Sequence, residues 1–365
     1  MDFSMTEEQS ALLEAVGSIL TDREEAAGSA GAAFDASLWQ KLADGELLAL
    51  TLAEDRGGLG FGTLELALVL ESCGKELANV PLLEHSVALA ALARFADEEF
   101  SARILTQVSQ GSLVLSAALF DADPTMTGVS ADADGVDYIL SGRVPFVPFA
   151  DDADRILIAV RREGVPALAV IDPRDPAVEL IQLSTTSARP EADLILNGLR
   201  LGASEVFGDA RAIRWAWERG VVGTCALLIG IAGRALEMTV SHVNGRKQFG
   251  RTLSSFQAVA IHVGSAYIDL ECARVTMLEA AWLLDDRETA AREVGIAKYW
   301  ASTASARIAE TAQHLHGGIG VTTEFPLHRY FLWARHLQLW SGSAPFHISE
   351  LAARALEAQN LCMPA

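Results

Sequence analysis

The hydrophobic period of this chain changes twice along its length, and that alone narrows the architectures open to it. From Thr6 to about 111, apolar residues recur at three- and four-residue spacing through Leu12 to Leu20, Leu64 to Leu77 and Val87 to Phe95, which predicts amphipathic helices. From Leu113 to about Phe207 the period becomes two. Val136 to Leu140, Arg155 to Val160, Ala167 to Ile171 and Leu194 to Leu196 are short runs separated by Gly, Pro and Asp, as in a small antiparallel β domain, barrel or sandwich. From Ala210 onward, long helical patterns return at about 212–245, 254–284, 287–315 and 343–358. Their short connections predict an antiparallel four-helix bundle. The expected fold class is α+β, with a helical domain over 1–111, a β domain over 112–208 and a helical bundle over 209–365.

With 365 residues, half of them hydrophobic, the chain can bury substantial cores. A formal net charge of −20 argues against nucleic acid or an anionic membrane surface as partner, so any anionic ligand must be held by a few placed cations. The N-terminus has no basic residue before Arg23 and no apolar h-region, so no signal peptide is expected and a cytoplasmic location is. The uncharged window Gly220 to Gly233 is too short to span a bilayer and predicts a buried helix, so no membrane span is expected. Cys73, Cys225, Cys272 and Cys362 are scattered, as reduced core thiols would be. His314, His316, His328, His336 and His347 crowd the C-terminal third without a consistent ligand spacing, so no metal is expected.

Two polar segments invite a functional interpretation. Gly57-Gly58-Leu59-Gly60-Phe61-Gly62 lacks the third glycine of GxGxxG and follows Glu54-Asp55-Arg56 instead of a buried strand, which predicts a helix-connecting turn. Arg246-Lys247-Gln248-Phe249-Gly250-Arg251-Thr252-Leu253-Ser254-Ser255-Phe256-Gln257 lies between helices and admits two readings. It is a helix C-cap with Gly250 in the left-handed conformation, or an edge that presents Arg246 and Phe249 to an anionic, ring-bearing ligand such as a dinucleotide.

Taken with the order of the three sections, this segment makes the chain resemble the acyl-CoA dehydrogenase family over essentially its whole length. The marks are Met1-Asp2-Phe3-Ser4 with Thr6-Glu7-Glu8-Gln9, Arg56-Gly57-Gly58-Leu59-Gly60, Arg246-Lys247-Gln248-Phe249-Gly250 with Phe256-Gln257, and His316-Gly317-Gly318-Ile319-Gly320 with Thr323-Glu324-Phe325-Pro326. The resemblance implies a dimer or tetramer that holds FAD between subunits and oxidises an acyl-CoA thioester to its 2-enoyl form. A carboxylate acts as general base, and the flavin accepts the hydride.

By that resemblance, Arg246 matches the arginine near the FAD pyrophosphate, Phe249 the aromatic residue beside it, Gly317-Gly318 the diglycine at the cofactor, and Gln257 a second glutamine. His314 stands where the family's other glutamine is usual, with Gln313 one residue out of register. The part that would hold the flavin ring departs from the family. Leu119 to Met126 replaces a glycine-rich loop and includes Asp121 and Asp123; Phe146-Val147-Pro148 replaces Trp-Ile-Thr, and Pro148 has neither hydroxyl nor N–H.

The two places where the family carries its base match Ser341 and Gly220, so no catalytic residue is expected in this chain. Glu218 and Glu350 are the nearest carboxylates and are expected to be solvated helix residues, Glu218 turned away from the base position. The resemblance therefore implies a non-catalytic, β-type subunit that lends the ADP half of a FAD site to a homologous catalytic subunit in an α2β2 tetramer. Its acceptor would be an electron-transfer flavoprotein. The alternatives are a self-sufficient homo-oligomeric enzyme with a relocated base and a cofactor-free interaction subunit.

Overall fold

Short polar punctuation and capping carboxylates set the first helices. The computed structural model describes residues 5–22 and 34–361; Met1-Asp2-Phe3-Ser4 and Cys362 lie outside the described residues. Helices α1 (Glu7–Thr21), α2 (Ala36–Asp44), α3 (Thr63–Lys75), α4 (Leu82–Phe95) and α5 (Glu98–Ser109) come first. The periodicity announced α1, α3 and α4. The missed α2 and α5 are only 9 and 12 residues long, yet each carries an aspartate cap: Asp35 accepts from Leu38 N, and Asp97 from Glu99 N and Phe100 N. The Gly57–Gly62 stretch is the turn between a 3-10 segment, Glu54–Arg56, and α3.

The chain divides into two compact units. Glu8–Leu66 and Ala78–Gly220 form one, and Met1–Glu7, Ala67–Leu77 and Val221–Ala365 form the other. The division passes through α3 and through the long helix α6 (Ala210–Gly245).

The first unit holds one eight-stranded sheet: β1 (Leu115–Ala118), β2 (Ser130–Asp134), β3 (Asp137–Pro148), β4 (Arg155–Arg162), β5 (Val165–Ile171), β6 (Val178–Leu183), β7 (Glu191–Leu201) and β8 (Val206–Phe207). The strand order is β6-β7-β3-β2-β4-β5-β8, with β1 beside β4. The expected purely antiparallel arrangement is corrected in two places, because β1 and β2 both run parallel to β4. Alternation fixes which side chains point inward but not strand direction, which here is set by the longer connections into β4. Among the described residues β6 and β8 do not pair with each other, so the sheet stays open. Its core is aliphatic, with Ile156, Ile158 and Val160 of β4 and Leu194 and Leu196 of β7 among its members.

The second unit is helical: α6 from Val221, α7 (Gln257–Asp286), α8 (Ala291–His316), α9 (Leu327–Leu337) and α10 (Ala344–Leu361), with a two-stranded ribbon β9 (Lys247–Gln248) and β10 (Arg251–Thr252). The four long helices fall within a few residues of the predicted spans; α9, at 11 residues, was not anticipated. Small residues bring the helices close. A Cβ on Gly230 would lie 1.9 Å from the Glu71 carbonyl oxygen, and one on Gly74 would lie 2.3 Å from that of Leu227, so α3 and α6 touch backbone to backbone. Helix α6 is long and apolar enough to cross a membrane, and 78% of its apolar window is buried inside the protein. Cys73 and Cys225 are buried as expected, but Cys272 on α7 is exposed.

Candidate cofactor half-site

Helix α6 ends at Gly245, and the chain then doubles back on itself. Gln248 pairs with Arg251 and Lys247 with Thr252, leaving Phe249 and Gly250 as a two-residue loop with φ of 54° and 80°. Two successive positive φ values mark a tight hairpin, so the C-cap reading of Gly250 is corrected: it is the second residue of a hairpin turn, beyond the helix end. Glycine tolerates this conformation; phenylalanine does so at a cost of about 1–2 kcal/mol. The strained Phe249 side chain is nonetheless 92% exposed and approaches Phe256 edge-on at 6.3 Å. Arg251 lies over the Phe256 ring at 3.9 Å.

Helix α8 ends at His316, whose ring meets His242 of α6. Gly317 has φ 63° and ψ −141°, and its N–H is donated back to Gln313 O and His314 O. A Cβ at Gly317 or Gly318 would meet nothing within 4 Å, so the protein's own packing does not demand the absence of a side chain at Gly318. Gln313 turns inward and donates to Gly320 O at 3.1 Å, whereas His314 is exposed and faces His262 of α7 at 6.1 Å. The register change noted in the sequence thus puts an imidazole on the surface. His316, buried, shares a hydrogen between Nδ1 and Ala312 O at 2.8 Å, and its Nε2 has no partner. Its ring stacks on His242 of α6 at 4.3 Å, which brings the last turn of α6 to the diglycine.

Arg246, Phe249, Gln257, His314, Gly317 and Gly318 are all solvent-exposed around this helix end. From Met238 to Ile268 the sequence contains no Asp or Glu but three cations, Arg246, Lys247 and Arg251. In a chain of net charge −20, this is a local electropositive surface. Open space over a diglycine, an exposed aromatic ring and cations that form no ion pair among the described residues fit the ADP half of FAD. Among the described residues no group of three or more His, Cys, Asp or Glu is placed to hold a metal ion.

Among the described residues of the sheet-containing unit, the segments that stand in place of the family's ring-binding elements are apolar or already engaged. Phe146 sits at a bulge in β3 with φ 52° and is 61% exposed, its N–H held by Asp193 Oδ1 at 3.0 Å. Pro148 is buried, and its carbonyl accepts from Ser116 Oγ at 2.5 Å. The Asp121 carbonyl accepts from Trp217 Nε1 at 2.8 Å, and partial burial raises the carboxyl pKa. Gly220 is enclosed: a Cβ there would stand 3.2 Å from Phe120 Cε1 and 3.7 Å from Val87 Cγ2. These residues do not fit a polar, flavin-binding cradle with a base beside it.

Glu218 is fully buried at 0% exposure, which corrects the expectation of a solvated residue; Glu350 is exposed as expected. Helical periodicity placed Glu218 away from the base position but could not reveal what covers that face. In the helical unit, Ser341 has φ 54° and 0% exposure; its Oγ has no partner, and its carbonyl accepts from His347 Nε2 at 2.7 Å. Neither Ser341 nor Gly220, the positions expected by resemblance to match the base, carries a carboxylate.

The same arrangement of domains recurs in known proteins. Residues 6–112 match the family model "Acyl-CoA dehydrogenase, N-terminal domain" and residues 210–356 the model "Acyl-CoA dehydrogenase, C-terminal domain". The chain is 34% identical over 333 residues to acyl-CoA dehydrogenase FadE27 of Mycobacterium tuberculosis (strain ATCC 25618 / H37Rv), covering 89% of each. Among solved structures it is similar to a variant of the Tcur3481-Tcur3483 steroid ACAD, with TM-score 0.90, 31% identity and coverage of 97% of this chain and 99% of that one. It is also similar to the ChsE4-ChsE5 complex from Mycobacterium tuberculosis, with TM-score 0.88, 32% identity and full coverage of both chains. Fold, matched domains and relatives agree, and the chain belongs to the acyl-CoA dehydrogenase family.

Proposed function

We propose that this chain is the non-catalytic subunit of a heteromeric acyl-CoA dehydrogenase, lending the ADP half of a FAD site to a homologous catalytic partner in an α2β2 tetramer. FAD is the cofactor of the family and, when bound, supplies the hydride acceptor for α,β-dehydrogenation of an acyl-CoA. The work assigned to this chain is binding. Arg246 neutralises diphosphate charge, Phe249 presents a ring face, and the Gly317-Gly318 backbone, with Gln257 and His314 beside it, lines the approach.

The observation that carries the proposal is the Phe120 ring 3.2 Å from the place of a Cβ on Gly220. At this position, which by resemblance is one of the family's two base positions, the chain has no side chain, and the Phe120 ring would have to give way to admit one. Loss of a general base alone costs about 10²- to 10⁴-fold in rate. Two similar structures, ChsE4-ChsE5 and Tcur3481-Tcur3483, are each named for two chains, which supports a heteromer; the second is called a steroid ACAD, and a steroid acyl-CoA is the substrate class proposed for the assembly.

The test is flavin counting. Purified alone, the chain is expected to be colourless; co-purified with its partner, the assembly is expected to be yellow with one FAD per two chains. One FAD per copy of this chain in a pure homo-oligomer would reject the proposal. The second reading, a self-sufficient homo-oligomer, is favoured by one observation, the wholly buried Glu218. Acyl-CoA oxidation by the chain alone that is abolished in Glu218→Gln would establish it.

A further inference from the structure

We infer that His242 is a second ligand of the anion held by Arg246, and that it binds as the imidazolium, taking up a proton when the anion arrives. This deepens, and rests on, the assignment of the ADP half-site above.

His242 lies on the last turn of α6 and Arg246 is the residue that follows the helix; the Arg246 N–H still donates to the His242 carbonyl at 2.8 Å, so the helical pattern runs on by one residue and the guanidinium acts on the His242 ring. The His242 ring is partly exposed, whereas the ring stacked on it at 4.3 Å, that of His316, is buried. His316 is the residue before Gly317-Gly318, so the stack anchors His242 beside the diglycine. The two imidazoles have different tasks. The contact with the Ala312 carbonyl requires a proton on His316 Nδ1, and its Nε2 is sealed from solvent and from any ligand. His316 therefore serves as a neutral platform. His242 is the ring an incoming anion can reach.

Burial is the largest influence lowering the His242 pKa, and the closeness of the His316 ring and of the Arg246 guanidinium lowers it further. The elements packed on this stack also carry His314 of α8, which faces His262 of α7 at 6.1 Å, Glu324, which precedes the Phe325 ring 5.2 Å from that of His316, and His328 and Arg329 in the first turn of α9. Glu237, further back on α6, is engaged by Lys75 and Arg234. Among the described residues neither stacked ring forms an ion pair. A diphosphate supplies the missing negative charge, and the carbonyl end of α6 already favours a cation there. Binding therefore moves the His242 pKa upward. By linkage, affinity is greatest below the free-state pKa and falls as pH rises through the bound-state pKa.

The experiment titrates the full-length chain, labelled with ¹³C at the histidine ring, with ADP between pH 5.5 and 8.5. Binding constants are measured alongside for wild type, His242→Asn and Arg246→Ala. Expected is an ADP-induced rise of about one unit in the His242 pKa, with binding about tenfold tighter at the acid end than at the alkaline end. His242→Asn should abolish that pH dependence and weaken binding about tenfold at low pH only; Arg246→Ala should weaken it at every pH. An unmoved His242 resonance with an unchanged His242→Asn profile, while Arg246→Ala still weakens binding, overturns this inference and leaves the half-site standing. No ADP binding by wild type at any pH, either alone or co-purified with its partner free of flavin, overturns both.

Discussion

The ammonium of Lys298 lies 3.1 Å from the carbonyl oxygen of Gly342, the residue after Ser341, and it donates also to Ser302 Oγ at 2.8 Å and Gln338 O at 3.0 Å. These three acceptors match the three donors of a fully buried lysine that pins the loop after Ser341. Burial pulls the Lys298 pKa down to about 8, with the nearby Cys225 thiol acting in the opposite direction. The folded chain then holds the extra proton only below about pH 8, whereas the unfolded chain keeps it to about 10.5. Stability should therefore rise with pH through that window, by up to about 3 kcal/mol. Denaturant unfolding of wild type and Lys298→Met across pH 7 to 10.5 reads the difference, and a flat difference would contradict the assignment.

At Gly220 the expectation concerns failed repair. Gly220→Glu should not confer acyl-CoA oxidation, because Phe120 and Val87 occupy the space, and it should destabilise the chain by about 1–3 kcal/mol through overpacking. Gly220→Glu combined with Phe120→Ala should recover part of that stability, a coupling visible in a double-mutant cycle. Additive effects of the two changes would show that they do not share the space.

Phe249 separates stability from association. Phe249→Gly should relieve the positive-φ strain and stabilise the isolated chain by about 1 kcal/mol, because a 92% exposed ring forfeits little packing. The same change should lower the flavin content of the co-purified assembly. Thermal unfolding and flavin absorbance provide the two readouts, and flavin retention at the wild-type level would remove Phe249 from the site.

Within the sheet-containing unit, Arg189 and Glu84 form an ion pair at 2.8 Å with side chains 3% and 1% exposed, and Glu191 is buried nearby. Burial raises the Glu84 pKa, and the Arg189 charge acts against that rise. Arg189→Met should cost about 3–5 kcal/mol at neutral pH by leaving a buried carboxylate uncompensated. With Glu84 titrating higher in that variant, its deficit should shrink as the pH falls towards 5, and Arg189→Met with Glu84→Gln should regain stability. Urea unfolding at pH 5 and 7 decides; a deficit independent of pH would locate the loss elsewhere.

The long elements were legible because period reports face: α6, α7, α8 and α10 each repeat their apolar residues over many turns, and β4, β5 and β7 alternate or run continuously apolar. Short α2, α5 and α9 gave too few turns for period to speak, and the parallel pairing of β1 and β2 with β4 depends on connections instead of pattern. Of the candidate site, residue identities were legible at Arg246, Phe249 and Gly317-Gly318, and the absence of a carboxylate at Ser341 and Gly220 was plain from the letters.

Other features of the site were visible only in three dimensions. The hairpin that lifts Phe249 into solvent, the His242–His316 stack, the Phe120 ring against Gly220 and the burial of Glu218 each join segments distant in the chain or depend on what covers a face. The sequence by itself determined which elements form and which chemical groups are present. Tertiary structure decided which of those groups meet and which see solvent, because exposure and contact are properties of packed surfaces and no local repeat encodes them.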